Sequence, residues 1–332
     1  MPAWTPTAAF LASFALALAL TGLATTLLKR RQVLDRPNER SSHVIPTPRG
    51  GGWGVVPPLL LAWAGIAWMA DDWGRVWPVL AAALPLAMIS WADDLSPVPP
   101  LPRLAAQVLA AAVALLSMPP DALVFQGWLP PVADRLLAGI ALVWFVNLYN
   151  FMDGIDGITG VQTLAIGLGL AAVGWAAGVA DPAKAVDPAY ALALAGAALG
   201  FLAWNWYPAK VFLGDVGSVP LGFLAGWLLL QAAGNGYWLP ALILPLYYLA
   251  DATITLGRRL ARGEKVWEAH RQHFYQQAVR RLGRHDQVVL AVLVGNVLLA
   301  AVALTSRDEP GYALLAPAVT AALLLWMRRP SY

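Results

Sequence analysis

The sequence predicts an all-α, polytopic integral membrane protein of about eleven transmembrane helices, and three observations carry that prediction. Of 332 residues, 59% are hydrophobic and only 12% are charged, about half the charged fraction of a soluble domain. The charges are separated by ten charge-free runs, most of them near the length that carries a helix across hydrocarbon. When the chain is threaded through those runs, 18 of its 22 Lys and Arg fall on one side of the bilayer, as the positive-inside rule requires. A water-soluble enzyme and the disordered or fibrous classes are excluded. With no cysteine, so are a disulfide framework, an iron–sulfur cluster and a thiolate zinc site.

The first span is the run 1–28. Lys29-Arg30-Arg31 follow it instead of preceding it, so it is an anchor and not a cleavable signal peptide. These three residues should hold its end in the cytoplasm. Runs 50–70, 76–92, 104–120, 136–152, 157–180 and 188–209 follow as single spans. Run 216–250, of 35 residues, is too long for one crossing. Gly234-Asn235-Gly236 divides it into two helices, the second reaching Leu256 and enclosing Asp251. Runs 287–306 and 310–327 complete the set.

This topology places the N-terminus outside and 29–52, 93–103, 153–156, 207–217, 257–286 and the C-terminus in the cytoplasm. Only Arg75, Arg135, Lys184 and Arg307 lie outside. The pI of 9.3 is therefore topological, and no nucleic-acid partner is expected. Tryptophans such as Trp53, Trp77, Trp91, Trp204 and Trp238 sit near span ends, where the headgroup layer suits them. No repeat or long linker divides the chain, so residues 1–332 form one membrane domain.

The inner acids carry the chemistry. Asp93 and Asp94 end the third span, Asp153 and Asp156 the fifth, and Asp215 lies between the seventh and eighth. An unpaired carboxylate at mid-bilayer costs about 2.5–3.5 kcal/mol and somewhat less at the edge. Five on one face should thus be held by a cation or by basic side chains, and a divalent metal is the economical explanation. Hard oxygen ligands favour Mg²⁺, with Mn²⁺ as the second choice, and imply a substrate bearing phosphate. Gly154, Gly157, Gly214 and Gly217 flank the acids and allow close backbone approach. Arg49 precedes Gly50-Gly51-Gly52 at the start of the second span, where amide groups at a helix N-terminus make an anion site; a plain flexible loop would look the same. The outer acids read as solvated loop charges.

Residues 258–286 form the longest polar segment, with His270 and His273 spaced to share a helix face. No third ligand completes a zinc site there. Two readings stand equally: an interfacial amphipathic helix on anionic lipid heads, or a phosphate clamp in which His270, Arg271 and His273 face a pyrophosphate.

Taken together, Asp93-Asp94, Asn150-x-x-Asp153-Gly154-x-Asp156-Gly157, Phe212-x-Gly214-Asp215-x-Gly217-Ser218 and His270-x-x-His273 resemble the polyprenyl-phosphate N-acetylhexosamine-1-phosphate transferases, glycosyltransferase family 4. The resemblance runs from about residue 29 to 285. Within the family, Asp35-Arg36-Pro37-Asn38-Glu39-Arg40-Ser41-Ser42-His43 and Pro46-Thr47-Pro48-Arg49-Gly50-Gly51-Gly52 look most like the branch that starts O-antigen chains. The phospho-MurNAc-pentapeptide translocase branch differs. It has three consecutive His where this chain has His270-Arg271-Gln272-His273, and a Lys after the Asp pair where Ser96-Pro97 stand here.

The resemblance implies transfer of a sugar-1-phosphate from UDP-GlcNAc or a UDP-N-acetyl-6-deoxyhexose to undecaprenyl phosphate, with Mg²⁺ and release of UMP. Carried over, Asp215 is the principal metal ligand and Asn150 lies near it. Asp153, Asp156, Phe212 and Gly214 belong to the nucleotide site, with Phe212 stacking on uracil. Asp93 and Asp94 are the catalytic pair, positioning metal or lipid phosphate, or with Asp93 as a base. Membrane lipids and a second copy of the chain in a homodimer complete the expected partners. A polytopic cation-coupled transporter, the reading from another class, would want acids near mid-span on several helices; only Asp251 qualifies.

Overall fold

The computed structural model describes residues 5–37, 45–180, 187–265 and 270–329. Asn38, Glu39, Arg40, Ser41, Ser42 and His43 of the O-antigen-like motif, and Lys184 of the outer charges, lie outside them. The protein is an all-α membrane bundle: nine helices among the described residues are long and apolar enough to cross a membrane. They are α1 (Thr5–Arg30), α2 (Val56–Ala70) with the 3-10 turn Gly51–Gly54 before it, α3 (Trp73–Leu95), α5 (Pro131–Phe151), α6 (Ile158–Ala180), α7 (Pro188–Asn205), α8 (Asp215–Gly234), α12 (His285–Ser306) and α13 (Leu315–Met327) with a 3-10 turn ahead of it.

The other two predicted spans take different forms. The fourth, α4 (Pro100–Leu116), is a 17-residue apolar helix. It begins four residues earlier than the charge-free run because prolines fit a first helical turn, and so it carries Arg103 inside it. The ninth is broken into α9 (Trp238–Ile243) and α10 (Leu246–Ala261), since Pro245 cannot continue α9's hydrogen bonding. A short amphipathic helix, α11 (Phe274–Leu282), follows. One antiparallel ribbon pairs β1 (Leu34–Asp35) with β2 (Thr47–Pro48), an element that apolar run lengths do not reveal.

Small residues set the tightest contact. Ala9, Ser13, Ala17 and Thr21 are buried on one stripe of α1, which packs on α7. A Cβ on Gly196 or Gly200 would lie 2.2 or 2.5 Å from a backbone carbonyl of α1, the close approach that small residues permit between membrane helices. At the centre stands α8, whose most apolar 18-residue stretch is 94% buried against α3 and α5. Its N-terminal residue is Asp215. The ends of α3, α5 and α7 and the starts of α4, α6, α8 and α12 therefore meet at one end of the bundle, joined by the side-chain contacts that follow.

Candidate functional site

The helix α8 is preceded by Gly214 at its N-cap, which has φ 74° and no side chain to cap the turn. Its first amide groups need acceptors, and Asp94 supplies them from the last turn of α3. Oδ1 accepts from the amide of Asp215 and Oδ2 from that of Val216, each at 2.9 Å. A Cβ on Gly214 would lie 2.6 Å from Asp94 Oδ2, so both the positive φ and this approach require glycine. The positive end of the helix dipole also favours a carboxylate there.

Arg49 ties this cap to the cluster. Its Nε lies 2.8 Å from Asp94 Oδ1 and its Nη2 donates to Asp215 Oδ1 at 2.8 Å. Burial works against the charged guanidinium, but Asp215, Asp94 and Asp35 together raise its pKa. Asn150, at the end of α5, is hydrogen-bonded to Asp215. Asp93 accepts from the amide of Val98 at 2.7 Å and from Arg103 Nη1 at 2.6 Å. Arg103 also approaches Asp215 Oδ2 to 4.0 Å. Basic side chains thus balance Asp93, Asp94 and Asp215, the second of the two options that their placement leaves open. Among the described residues no three His, Asp or Glu side chains form a ready-made metal cage.

Asp153 completes the neighbourhood from the turn between α5 and α6. Burial pushes its carboxyl up to about 7, opposed by a hydrogen bond from Thr159; Asp215 raises it further, Arg49 lowers it and Asp94 adds to the rise. Asp156, three residues on, is held from both ends: Oδ2 accepts from the amide of Ala209 at 2.9 Å, and its own amide donates at 3.2 Å to His285 Nδ1, which lies 3.1 Å from Oδ1. Beside it opens a cavity of about 420 Å³ whose wall includes Asp156, Phe212, Arg271, Gln276, Arg280 and His285. Two separately predicted nucleotide residues, Asp156 and Phe212, therefore share one chamber with Arg271.

The glycine loop has a different role from the anion site its composition suggests. The amides of Gly50 and Gly51 donate to the carbonyl of Phe212 at 3.2 and 2.8 Å, and that of Gly52 to Leu213 at 2.8 Å. A Cβ on Gly52 would lie 2.3 Å from the amide nitrogen of Gly217. The loop is a backbone splice that fixes Arg49 against the Phe212–Asp215 segment, with its amides already bonded to those carbonyls.

The polar segment after α10 also departs from the interfacial-helix reading. Phe274, Tyr275, Ala278 and Val279 of α11 are buried in the protein, so its apolar face packs inward and not on lipid. His270 and His273 stack with ring centroids 4.8 Å apart, and His273 is 2% exposed. Burial, His273 and Arg259 lower the pKa of His270 to about 4. Of the predicted phosphate clamp, Arg271 faces the cavity, whereas the ring of His273 is directed to Asp251, with Nδ1 3.0 Å from Oδ1.

Two side chains that contact these acids escape sequence reasoning. Arg103 reads as a charge that merely bounds a span; its spacing of ten residues from Asp93, across a Pro-rich stretch that starts a helix, is the signal that could find it. His285 lies at the start of α12, and nothing in its local sequence marks it as a partner of Asp156.

Comparison with known proteins accords with this geometry. The pattern of glycosyl transferase family 4 matches residues 76–233, the segment that carries every acid of the cluster. The chain is 30% identical to the decaprenyl-phosphate N-acetylglucosaminephosphotransferase of Mycobacterium leprae, covering 86% of this chain and 78% of that protein. It is 26% identical to the undecaprenyl-phosphate alpha-N-acetylglucosaminyl 1-phosphate transferase of Thermotoga maritima, covering 82% of each. A shorter match, 34% identical, covers 41% of this chain and 42% of the phospho-N-acetylmuramoyl-pentapeptide-transferase of Moorella thermoacetica. The chain belongs to glycosyl transferase family 4.

Proposed function

We propose that this family member transfers an N-acetylhexosamine-1-phosphate from a UDP-linked donor to undecaprenyl phosphate, releasing UMP and starting a lipid-linked cell-surface polysaccharide such as O-antigen. The observation that carries the proposal is the junction of an ion cluster, Arg49–Asp94–Asp215, with the cavity lined by Asp156 and Phe212, the two joined by the Phe212–Asp215 segment. One suits a pyrophosphate, the other a nucleoside. UDP-GlcNAc is the first donor to try, because relatives that match most of the chain are named for N-acetylglucosamine; a UDP-N-acetyl-6-deoxyhexose is the second.

In this reading an oxygen of the lipid phosphate attacks the β-phosphorus of the donor. A new P–O bond forms there as the bond to the bridging oxygen breaks, and UMP departs with that oxygen. A phosphomonoester with a second pKa near 6 is mostly dianionic at neutral pH, so positioning and charge neutralisation matter more than proton removal. Arg49 and Arg103 offer guanidinium groups to the phosphates. Phe212 offers a ring to the uracil, and Asp156, fixed by Ala209 and His285, offers its edge to the nucleoside. Asp94 holds the N-terminus of α8, and with it Asp215, in place.

The donor chemistry fits a divalent ion. Asp215, Asn150 and Asp153 present only hard oxygens, and the site already accommodates the positive charge of Arg49. An open set of this kind suits Mg²⁺ or Mn²⁺, which take few carboxylates and share coordination with substrate phosphates. Such an ion supplies charge neutralisation on the pyrophosphate. The excess of basic residues on the segments at this end of the bundle supports a cytoplasmic site in the inner membrane.

Radiolabelled transfer from a panel of UDP-N-acetyl sugars to undecaprenyl phosphate, with and without EDTA, tests all of this. Labelled lipid together with UMP is the expected result. Release of UDP, or uptake of a UDP-MurNAc-pentapeptide in preference to UDP-GlcNAc, overturns it. The transporter alternative loses its motivating residue, because Asp251 caps α11.

A further inference from the structure

Asp251 is the one acid inside a predicted span, and it is completely buried. Its two oxygens collect an unusual number of donors. Oδ1 accepts from the ring Nδ1 of His273 and the amide of Phe274, both at 3.0 Å, and from Thr255 at 3.3 Å. Oδ2 accepts from the amide of Tyr275 at 3.2 Å and from Tyr247 at 3.4 Å. A carboxylate on α10 thus caps the N-terminus of α11 and fixes the His273 ring at the same time. Removing such an acceptor leaves several buried donors unsatisfied.

What α11 carries makes this more than a helix cap. Gln276, Val279 and Arg280 from α11, and Arg271 just before it, line the same cavity as Asp156 and Phe212. Tyr275, whose amide Asp251 holds, donates its hydroxyl to the carbonyl of Phe151 at 3.1 Å. That hydroxyl would stand 2.1 Å from a Cβ on Gly154. Gly154 therefore has no side chain because Tyr275 needs the space, and α11 is pinned to the turn that bears Asp153.

We infer that Asp251 is a positioning residue for donor binding: from within the membrane domain it holds His273 and α11 so that the α11 wall closes the nucleotide cavity. This rests on the transferase reading above. Asp251 does not touch the reacting groups; it acts through the placement of Arg271, Gln276 and Arg280.

The test compares full-length wild type and Asp251→Asn in detergent, measuring KM for UDP-GlcNAc, KM for undecaprenyl phosphate, kcat, and UDP binding by calorimetry. Asparagine keeps the volume but has one acceptor oxygen in place of two. The donor KM and the UDP Kd should both rise about tenfold, the scale of one lost charge-assisted hydrogen bond. The acceptor KM and kcat should stay within about twofold, and Asp251→Glu should recover part of the donor affinity. Unchanged donor KM and UDP Kd overturn the inference, as does a loss spread equally over both substrates and kcat. Should Asp251→Asn fail to fold, Tyr275→Phe removes only the tie to Phe151; an unchanged UDP Kd in that variant overturns the inference equally. A wild-type protein that neither binds UDP nor makes labelled lipid refutes the transferase reading itself, which is a different outcome from a variant that matches an active wild type.

Discussion

The carboxylate of Asp94 accepts the backbone amide of Asp215 at 2.9 Å from 121 residues away, while Arg49 bridges the two side chains. One acid caps the helix that presents the other. Asp94→Ala leaves the amides of Asp215 and Val216 without an acceptor and should lower stability by about 1–2 kcal/mol, the cost of losing an N-cap. Thermal unfolding in detergent measures it, and Asp94→Asn should lose less because its side-chain oxygen still accepts.

Arg49 serves two carboxylates with two different nitrogens, a fork geometry that lysine lacks. Arg49→Lys should therefore behave nearly as badly as Arg49→Ala, with transfer falling by about 100-fold in each, as for loss of a charge-stabilising donor. Lysine restoring near wild-type activity would show that charge alone is needed. Initial rates at saturating donor decide it.

Arg103 pairs with Asp93 at 2.6 Å and stands 4.0 Å from Asp215. Arg103→Ala should cut activity by about 10- to 100-fold with little change in unfolding temperature, because the side chain is partly exposed. Parallel rate and melting measurements separate the two effects.

Asp153 yields a pH signature. Its carboxyl is pushed up to about 7 from an ordinary 3.8 by burial. The folded state therefore binds the proton more tightly than the unfolded chain, and this group's contribution to stability is present at low pH and lost as pH rises through about 7. Measured in EDTA, wild type should lose stability between about pH 4 and about pH 7, and Asp153→Asn should remove that part of the slope. The same substitution should abolish transfer, so a more stable variant would be a dead one.

A pair of glycines makes a control. Gly65 lies on α2 with nothing within 4 Å of an added methyl group, whereas a Cβ on Gly52 would meet Gly217 at 2.3 Å. Gly65→Ala should stabilise by about 0.5–1 kcal/mol, and Gly52→Ala should destabilise by about 1–3 kcal/mol or more. Thermal unfolding of the two variants beside wild type reads both signs.

The long-range order of the bundle is legible in apolar run lengths, because a helix in lipid must satisfy its own backbone. The acids are legible because an acid at a span end is anomalous there. What balances them is not. Arg49 reaches Asp215 across 166 residues, and no periodicity encodes such a contact; Arg103 lies only 10 residues from Asp93, but a reading by charge-free runs leaves it at a span boundary. The splitting of the ninth span follows from Pro245, which a count of charge-free residues ignores. Asp251 stands out in the sequence as an anomaly, yet its partner His273 lies across a polar turn with no pattern connecting them. The glycine run invites an anion-binding reading that only its hydrogen-bond partners correct.

The backbone splice between Arg49 and Phe212 has a mechanical corollary. The amide of Phe212 donates to Pro48 at 2.8 Å while its carbonyl receives the amides of Gly50 and Gly51, so the guanidinium-bearing strand and the aromatic platform cannot shift separately. In the proposed transferase, a base settling on the Phe212 ring would tug the very stretch of chain that governs where Arg49 points. Recognition of the leaving nucleotide and readiness of the charge cluster would then be two readouts of one lever.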